Sequence, residues 1–328
     1  MRLLLRHSQL LLLAVKAGSV LPTHPLLPAA AVAVAGGADL TRPTLNLPIQ
    51  AGSDGYVYFR IPLLVALGSD RRTLLLFTEG RRLSSAYHGA VDVVLKRSTD
   101  GGATWGALRK VYGESTAHLN VTIGNPSPIV DEKHPEHLVL TCCRNNKQVL
   151  VLHSANAGVD WSAPADISTQ VVKTDWSWVT TGPSAGIRLP SGRVIVCADH
   201  VRGSNVTTGP IEHSMWTDDS GTTWQASPSL PVGQPHDLAG VAVVARPGNE
   251  CTLALAPHGS ALMNMRTVRP EGRRQFASSS DDGETWTKPT LSPFPFVGQS
   301  NVPVPGNMIS IELPLFLVKL QLFVDIVT

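Results

Sequence analysis

Arginines and one glutamate carry most of the chemistry this chain could do. Guanidinium groups stand at Arg60 in the phrase Phe59-Arg60-Ile61-Pro62, at the pair Arg81/Arg82 and at Arg266, and a carboxylate follows Pro247-Gly248-Asn249 at Glu250. A guanidinium is a planar fork, charged at every working pH, that binds a carboxylate through two parallel hydrogen bonds, so these residues suit an anionic substrate. Taken singly, each is as well explained by a solvated surface charge. Metal chemistry has no comparable basis. The histidines include no H-E-x-x-H, and Cys142, Cys143, Cys197 and Cys251 show no C-x-x-C spacing. No catalytic metal is expected, and no nucleotide or redox cofactor. Adjacent Cys142 and Cys143 are not expected to bridge each other; the four thiols read as small buried apolar groups with room for one disulfide.

The elements that must position these groups are announced by a repeat. STDGGATW (Ser98 to Trp105), TDDSGTTW (Thr217 to Trp224) and SSDDGETW (Ser279 to Trp286) are complete copies, and SANAGVDW (Ser154 to Trp161) is a degenerate one. Their tryptophans at 105, 161, 224 and 286 lie 56, 63 and 62 residues apart, which is one repeating unit. Each box gives a tight turn an Asp or Asn whose side-chain oxygen can satisfy backbone N–H groups and a Gly that can take positive φ, with the Trp packed beneath as an anchor. Between the boxes run short β-branched stretches, Val91 to Leu95, Val149 to His153, Val194 to Ala198 and Val241 to Ala245, separated by Gly, Pro, Ser and Asn. The fold class expected is all-β, a β-propeller of roughly four strands per blade.

With FRIPLLV (Phe59 to Val65), LLLFTEGRR (Leu74 to Arg82) and VDVVLKRSTDGGATW in order, the chain resembles the exo-α-sialidase (neuraminidase) superfamily, closest in phrasing to its lysosomal-type and bacterial-type members. WSWVTTGPSAGI (Trp176 to Ile187), GRVIVCADH (Gly192 to His200) and NECTLALAPHGSALMNMR (Asn249 to Arg266) extend the match over residues about 50 to 290. The resemblance implies a six-bladed propeller, of which about four units fit between Tyr56 and Thr290. It also implies a retaining exo-α-sialidase that releases terminal sialic acid from sialylated glycans. A sialoside carries a carboxylate on its anomeric carbon, which would repel a carboxylate nucleophile. The family accordingly uses a Tyr activated by a glutamate, an exception among glycosidases. Carried over by motif, Arg60, Arg81 (with Arg82 as the alternative) and Arg266 bind the substrate carboxylate, and Glu250 is the base toward the Tyr hydroxyl. Trp176 and Trp178 line the pocket or, as readily, belong to the propeller core.

Two departures from the family pattern follow. Tyr87 stands where the family places its Asp acid/base, and a phenol with an unperturbed pKa near ~10 is a poor proton shuttle. Adjacent His88 is one residue out of register with that position, and Asp92 lies too far along, at the start of the next strand. The family's remaining Arg and its Tyr nucleophile are expected beyond the fourth box, where residues 291–328 resemble nothing in the family and read as a gene-model artefact or a divergent closing strand. Catalytically dead, lectin-like binding of sialic acid and a fragment without a folded state are the alternatives to hydrolysis.

Composition agrees with a chain able to bury a core: 43% hydrophobic and 16% charged, with 28 Gly and 25 Pro for turns. The net charge is +2 and the basic residues fall in isolated pairs, so nucleic acid is not expected as a partner. Residues 1–38 read as a signal or targeting segment, with Arg2 and Arg6, an apolar run from Leu10 to Val15, and no acidic residue before Asp39. A secretory route, to lysosome or cell exterior, is favoured over an organellar transit peptide by the sequons at Asn120 and Asn205. No membrane span is expected, because Glu312, Pro314, Lys319 and Asp325 interrupt the apolar C-terminal stretch.

Overall fold

A computed structural model describes residues 47–86, 88–131, 133–203, 210–231, 248–256, 258–267, 274–291, 307–311 and 320–324. The architecture described belongs to the unit Pro48–Thr328. The targeting segment expected at 1–38 and the run Val241 to Ala245 lie outside the described residues.

Four antiparallel sheets follow one another along the chain, each a meander of sequential neighbours. Blade one is β1 (Tyr58–Leu67), β2 (Thr73–Arg81), β3 (Val91–Ser98) and β4 (Arg109–Tyr112). Blade two is β5 (Ile123–Val130), β6 (Leu138–Arg144), β7 (Gln148–Ser154) and β8 (Ala165–Asp166), followed by a single helical turn, α1 (Ser168–Val171). In blade three, β9 (Trp176–Thr181) and β10 (Ile187–Arg188) share the inner position and both pair with β11 (Val194–Arg202), which continues to β12 (Ile211–Thr217) and β13 (Gln225–Ala226). Blade four is β14 (Gly248–Leu255), β15 (Ala261–Thr267), β16 (Gln275–Ser279) and β17 (Thr290–Leu291). This is the propeller arrangement expected, in four blades. Within 291–328, β18 (Asn307–Ile311) and β19 (Leu320–Val324) pair antiparallel as a separate two-stranded sheet.

Each core lies between two blades. Leu63, Leu75, Phe77 and Leu95 of blade one close on Ile123, Leu138, Leu140 and Leu152 of blade two. Val139, Val149 and Val151 then meet Val179, Val196 and Met215 of blade three. Ile195 and Trp216 meet Leu253, Met263 and Met265 of blade four. A middle strand therefore buries both faces, and β3 is buried at six of its eight positions, which explains why it reads as a continuous apolar run and not as an alternation.

The four boxes repeat one hydrogen-bond pattern. In the first, Ser98 Oγ donates to Asp100 Oδ1 (2.7 Å) and accepts from Gly102 N (2.9 Å), while Thr104 N and Oγ1 donate to the two Asp100 oxygens (2.9 and 2.6 Å). The degenerate second box keeps the pattern with one polarity reversed. Asp160 N donates to Asn156 Oδ1 (2.8 Å), and Asn156 Nδ2 donates to the Asp160 carboxylate (3.0 Å). The tryptophans anchor more than their own turns. Trp161 meets Phe77 of blade one edge-on at 5.8 Å, and Trp286 Nε1 donates to Ser214 Oγ of blade three (2.9 Å). A Cβ on Gly158 would lie 2.9 Å from Leu75 Cδ1 of blade one, so this box glycine is also where one blade seats on the last.

Inner strands carry a second repeat, absent from the sequence reading. Register slips between Arg60 and Leu63 in β1, between Gly124 and Ser127 in β5 and between Gly248 and Cys251 in β14, and blade three breaks at the same level after Thr181. Ile61, Asn125 and Gly182 hold φ of 56°, 53° and 58°, and each precedes a proline. Ile61 and Asn125 stand in β-bulges and Gly182 in the break between β9 and β10; bulges turn side chains out of the ladder and recur beside functional sites.

Candidate functional site

The bulges display the candidate residues. Arg60 sits at the bulge of β1, is exposed, and has no side-chain hydrogen bond or ion pair among the described residues; its carbonyl accepts from Thr78 Oγ1 at 2.6 Å. Arg81, at the end of β2, is 2% exposed. Its Nη2 and Nε bond Glu79 Oε2 (2.6 and 3.2 Å) and its Nη1 bonds the carbonyls of Ser85 and Ala86 (2.6 and 3.1 Å). Glu79 Oε1 accepts from Asn125 N of blade two at 2.9 Å. The Glu79–Arg81 pair thus ties the first blade boundary to the foot of the loop that follows β2.

Arg82, the alternative, stands over the Tyr56 ring at 4.7 Å, with Nε 3.4 Å from Asp92 Oδ2. Asp92 is buried in β3, as its expected place at the start of a strand requires. It accepts from Tyr56 Oη (2.8 Å) and from Ser115 Oγ. Burial, reinforced by that carboxylate, raises the Tyr56 pKa, so this phenol is a structural donor. Tyr87 lies outside the described residues. Beside it, His88 meets the half-buried Trp178 of β9 edge-on at 5.8 Å, which brings the loop to blade three.

Glu250 and Arg266 are brought together. Register places both at the β14 bulge, Asn249 and Glu250 opposite the single Arg266 of β15. Arg266 Nη1 bonds Glu250 Oε2 at 2.9 Å, and the side chains are 22% and 14% exposed, enough for a ligand to reach. Asn249 Oδ1 accepts from Glu250 N (2.8 Å). Cys251, next in the chain, is disulfide-bonded to Cys197 of β11 with Cα atoms 6.0 Å apart, while Cys142 and Cys143 are free and buried. Among the described residues no hydrogen bond or ion pair joins Arg60 to this pair.

One residue the sequence reading missed stands behind it. Asp199 of β11 is fully buried, and its Oδ2 accepts from Thr180 Oγ1. Burial, with the Glu250 charge adding to it, pushes the Asp199 pKa up to about 7, against smaller opposing effects of Thr180 and Arg266. The signal was available: an Asp-His pair closing the apolar run Val-Ile-Val-Cys-Ala is a charge inside a central strand. Trp176 lies in the core between blades two and three, stacked on His200 at 3.7 Å. Burial lowers the His200 pKa to about 3 and that of neighbouring His213 as well, so both imidazoles are neutral. Of the two tryptophans, Trp178 is the one near the loop. Among the described residues, no cluster of His, Cys, Asp and Glu could hold a metal ion.

A family model described as a BNR repeat-like domain matches residues 72–309. The chain is 29% identical over 264 residues to a sialidase of Bacteroides fragilis, covering 73% of this chain and 45% of that protein. It is 31% identical over 175 residues to an exo-alpha-sialidase of Aspergillus fumigatus (44% of this chain, 42% of that one) and 28% identical over 256 residues to human Sialidase-4 (70% and 49%). It spans about half the length of these curated relatives. Among solved structures, the Hadza microbial sialidase Hz136 superposes with a TM-score of 0.61 at 23% identity over 73% of this chain and 47% of that one. Trypanosoma rangeli sialidase in complex with the inhibitor DANA gives 0.60 at 16% identity over 78% and 42%. At these identities the structural likeness is one of fold.

Proposed function

The chain belongs to the exo-α-sialidase superfamily through its BNR repeat-like domain, and from that premise we propose that it binds the terminal sialic acid of sialylated glycans and hydrolyses the α-sialoside with retention. The observation that carries this reading is the Glu250–Arg266 pair at the β14 bulge, partly open to solvent. A guanidinium there can take a substrate carboxylate, while the adjacent glutamate serves as base toward a tyrosine hydroxyl, whose neutral oxygen approaches an anionic substrate without charge repulsion. Arg60, exposed at the equivalent bulge of β1, is a second carboxylate ligand in this scheme. Arg81, held by Glu79 and two loop carbonyls, acts as a third only if that loop releases it. A secretory route is part of the same proposal, with residues 1–38 as signal and the exposed Asn120 sequon as glycan acceptor. No helix among the described residues is long and apolar enough to cross a membrane.

Tyr87 at the acid/base position and the closed Arg81 favour a second reading, binding without turnover. Calorimetric titration with N-acetylneuraminic acid, together with a fluorogenic α-sialoside assay, separates the two. Binding is expected to weaken ~10- to 100-fold in Arg266→Ala and Arg60→Ala, the worth of a charged hydrogen bond. Binding with turnover supports the hydrolase, binding alone supports the lectin-like protein, and no binding by the native chain overturns both.

A further inference from the structure

We propose that Asp199 is a positioning residue for Glu250, a carboxyl that keeps its proton while the Glu250 carboxylate is paired with Arg266 and that drives Glu250 off this pairing when it ionises. The inference deepens the sialidase reading and rests on it. It starts from an unfinished set of hydrogen bonds. Asp199 is completely buried, Oδ2 is occupied by Thr180, and Oδ1 finds no partner among the described residues. Arg266 Nε, across the same boundary, is likewise buried and finds no partner among the described residues. A lone carboxylate oxygen in a dry interior is costly, whereas a protonated carboxyl is tolerated there.

Register explains why this carboxyl faces that pair. Cys197 and Asp199 are two apart on β11 and so point to the same face, and Cys197 is bonded to Cys251, the neighbour of Glu250. Gly182 O accepts from Cys251 N at 3.0 Å, a second tie across the same boundary. Among the described residues, the charged and titratable groups around Asp199 are Glu212, its cross-strand partner on β12, Glu250 of β14, Arg266 of β15, and the Cys143 thiol of β6, whose own titration responds to the Asp199 charge. Two of these are acids and only Arg266 is a cation. A second negative charge at Asp199 therefore competes with Glu250 for one guanidinium. Protonated Asp199 leaves Glu250 on Arg266, in place to act as a base; ionised Asp199 weakens that hold, so the site is built to work on the acid side of neutrality.

Two measurements test this on the full chain. Without ligand, the Asp199 carboxyl is followed by carbon NMR from pH 4 to 9 in the native protein and in Glu250→Gln. Its midpoint, near 7 in the native protein, is expected to fall by about one pH unit once the neighbouring charge is gone. An unchanged midpoint overturns the proposal whatever the ligand does. With N-acetylneuraminic acid as the probe, affinity in the native protein is expected to drop about tenfold between pH 5.5 and 8.5, and Asp199→Asn to keep the low-pH affinity across the range. Retention of the full pH-dependent loss by Asp199→Asn overturns it as well. If the native chain binds no sialic acid at any pH while the Glu250→Gln shift is present, the coupling stands and the sialidase reading fails alone.

Discussion

At Glu250 and Arg266 two residues 16 apart in sequence become one device, because a bulge sets two residues of β14 against one of β15. Asp199 is the residue whose titration most affects stability there. An unfolded aspartate titrates near ~4, whereas burial keeps Asp199 protonated in the fold up to about 7. Across that window the folded chain holds a proton that the unfolded chain has lost, so stability falls as pH rises, by at most about 1.4 kcal/mol per pH unit. Asp199→Asn removes the effect. Its melting temperature relative to native is expected to climb steadily from pH 4 to pH 7 and to level off above; a constant difference across the range would exclude a raised Asp199 pKa.

Among the elements, the second box makes the most pointed case. The Asp and Thr of the complete boxes are replaced by Asn156 and Asp160, and the bond between the two side chains survives with donor and acceptor exchanged. Asn156→Asp would set two carboxylates 3.0 Å apart where a hydrogen bond now stands. We expect a loss of about 1 kcal/mol at neutral pH in thermal unfolding, and recovery when Asp160→Thr is added to restore the complete-box chemistry. No loss in Asn156→Asp would mean that the box is held by its glycine and tryptophan contacts alone. The repeat itself was legible because its turn residues are local. The bulge repeat of the inner strands was missed because Arg-Ile-Pro, Gly-Asn-Pro and Thr-Gly-Pro share only a proline and a positive φ, and the φ is invisible in the letters.

For the propeller as a whole, stability resides at the boundaries between blades. Each boundary has its own apolar cluster and its own polar ties, such as Glu79 to Asn125, Thr181 Oγ1 to Asn125 O (2.6 Å) and Ser214 Oγ to Gly283 O (2.7 Å). Only the boundary between blades three and four, among the described residues, also has a covalent link. Cys197 and Cys251 are 54 residues apart, and closing a loop of that size in the unfolded chain is worth about 2–4 kcal/mol. The Cys197→Ser/Cys251→Ser variant is expected to unfold at lower denaturant by that amount, and hydrogen exchange should be fastest in β14. Equal protection of β14 in both forms would show that packing of Leu253 and Met263 suffices there.

Much of this was determined by sequence alone. The all-β class, the blade period, the strand runs inside β3, β7 and β11, and the likeness to sialidases depend on patterns confined to a few consecutive residues. Turn chemistry and alternating or continuous burial are local, and a local pattern can be read from letters. What the tertiary structure decided was partnership. The pairing of Cys197 with Cys251, the closure of Arg81 by Glu79, the seat of Trp176 against His200 and the place of Asp199 behind Glu250 all join residues on different strands. Their chemistry depends on burial and on the nearest charge, and both come into being only when one blade packs against the next.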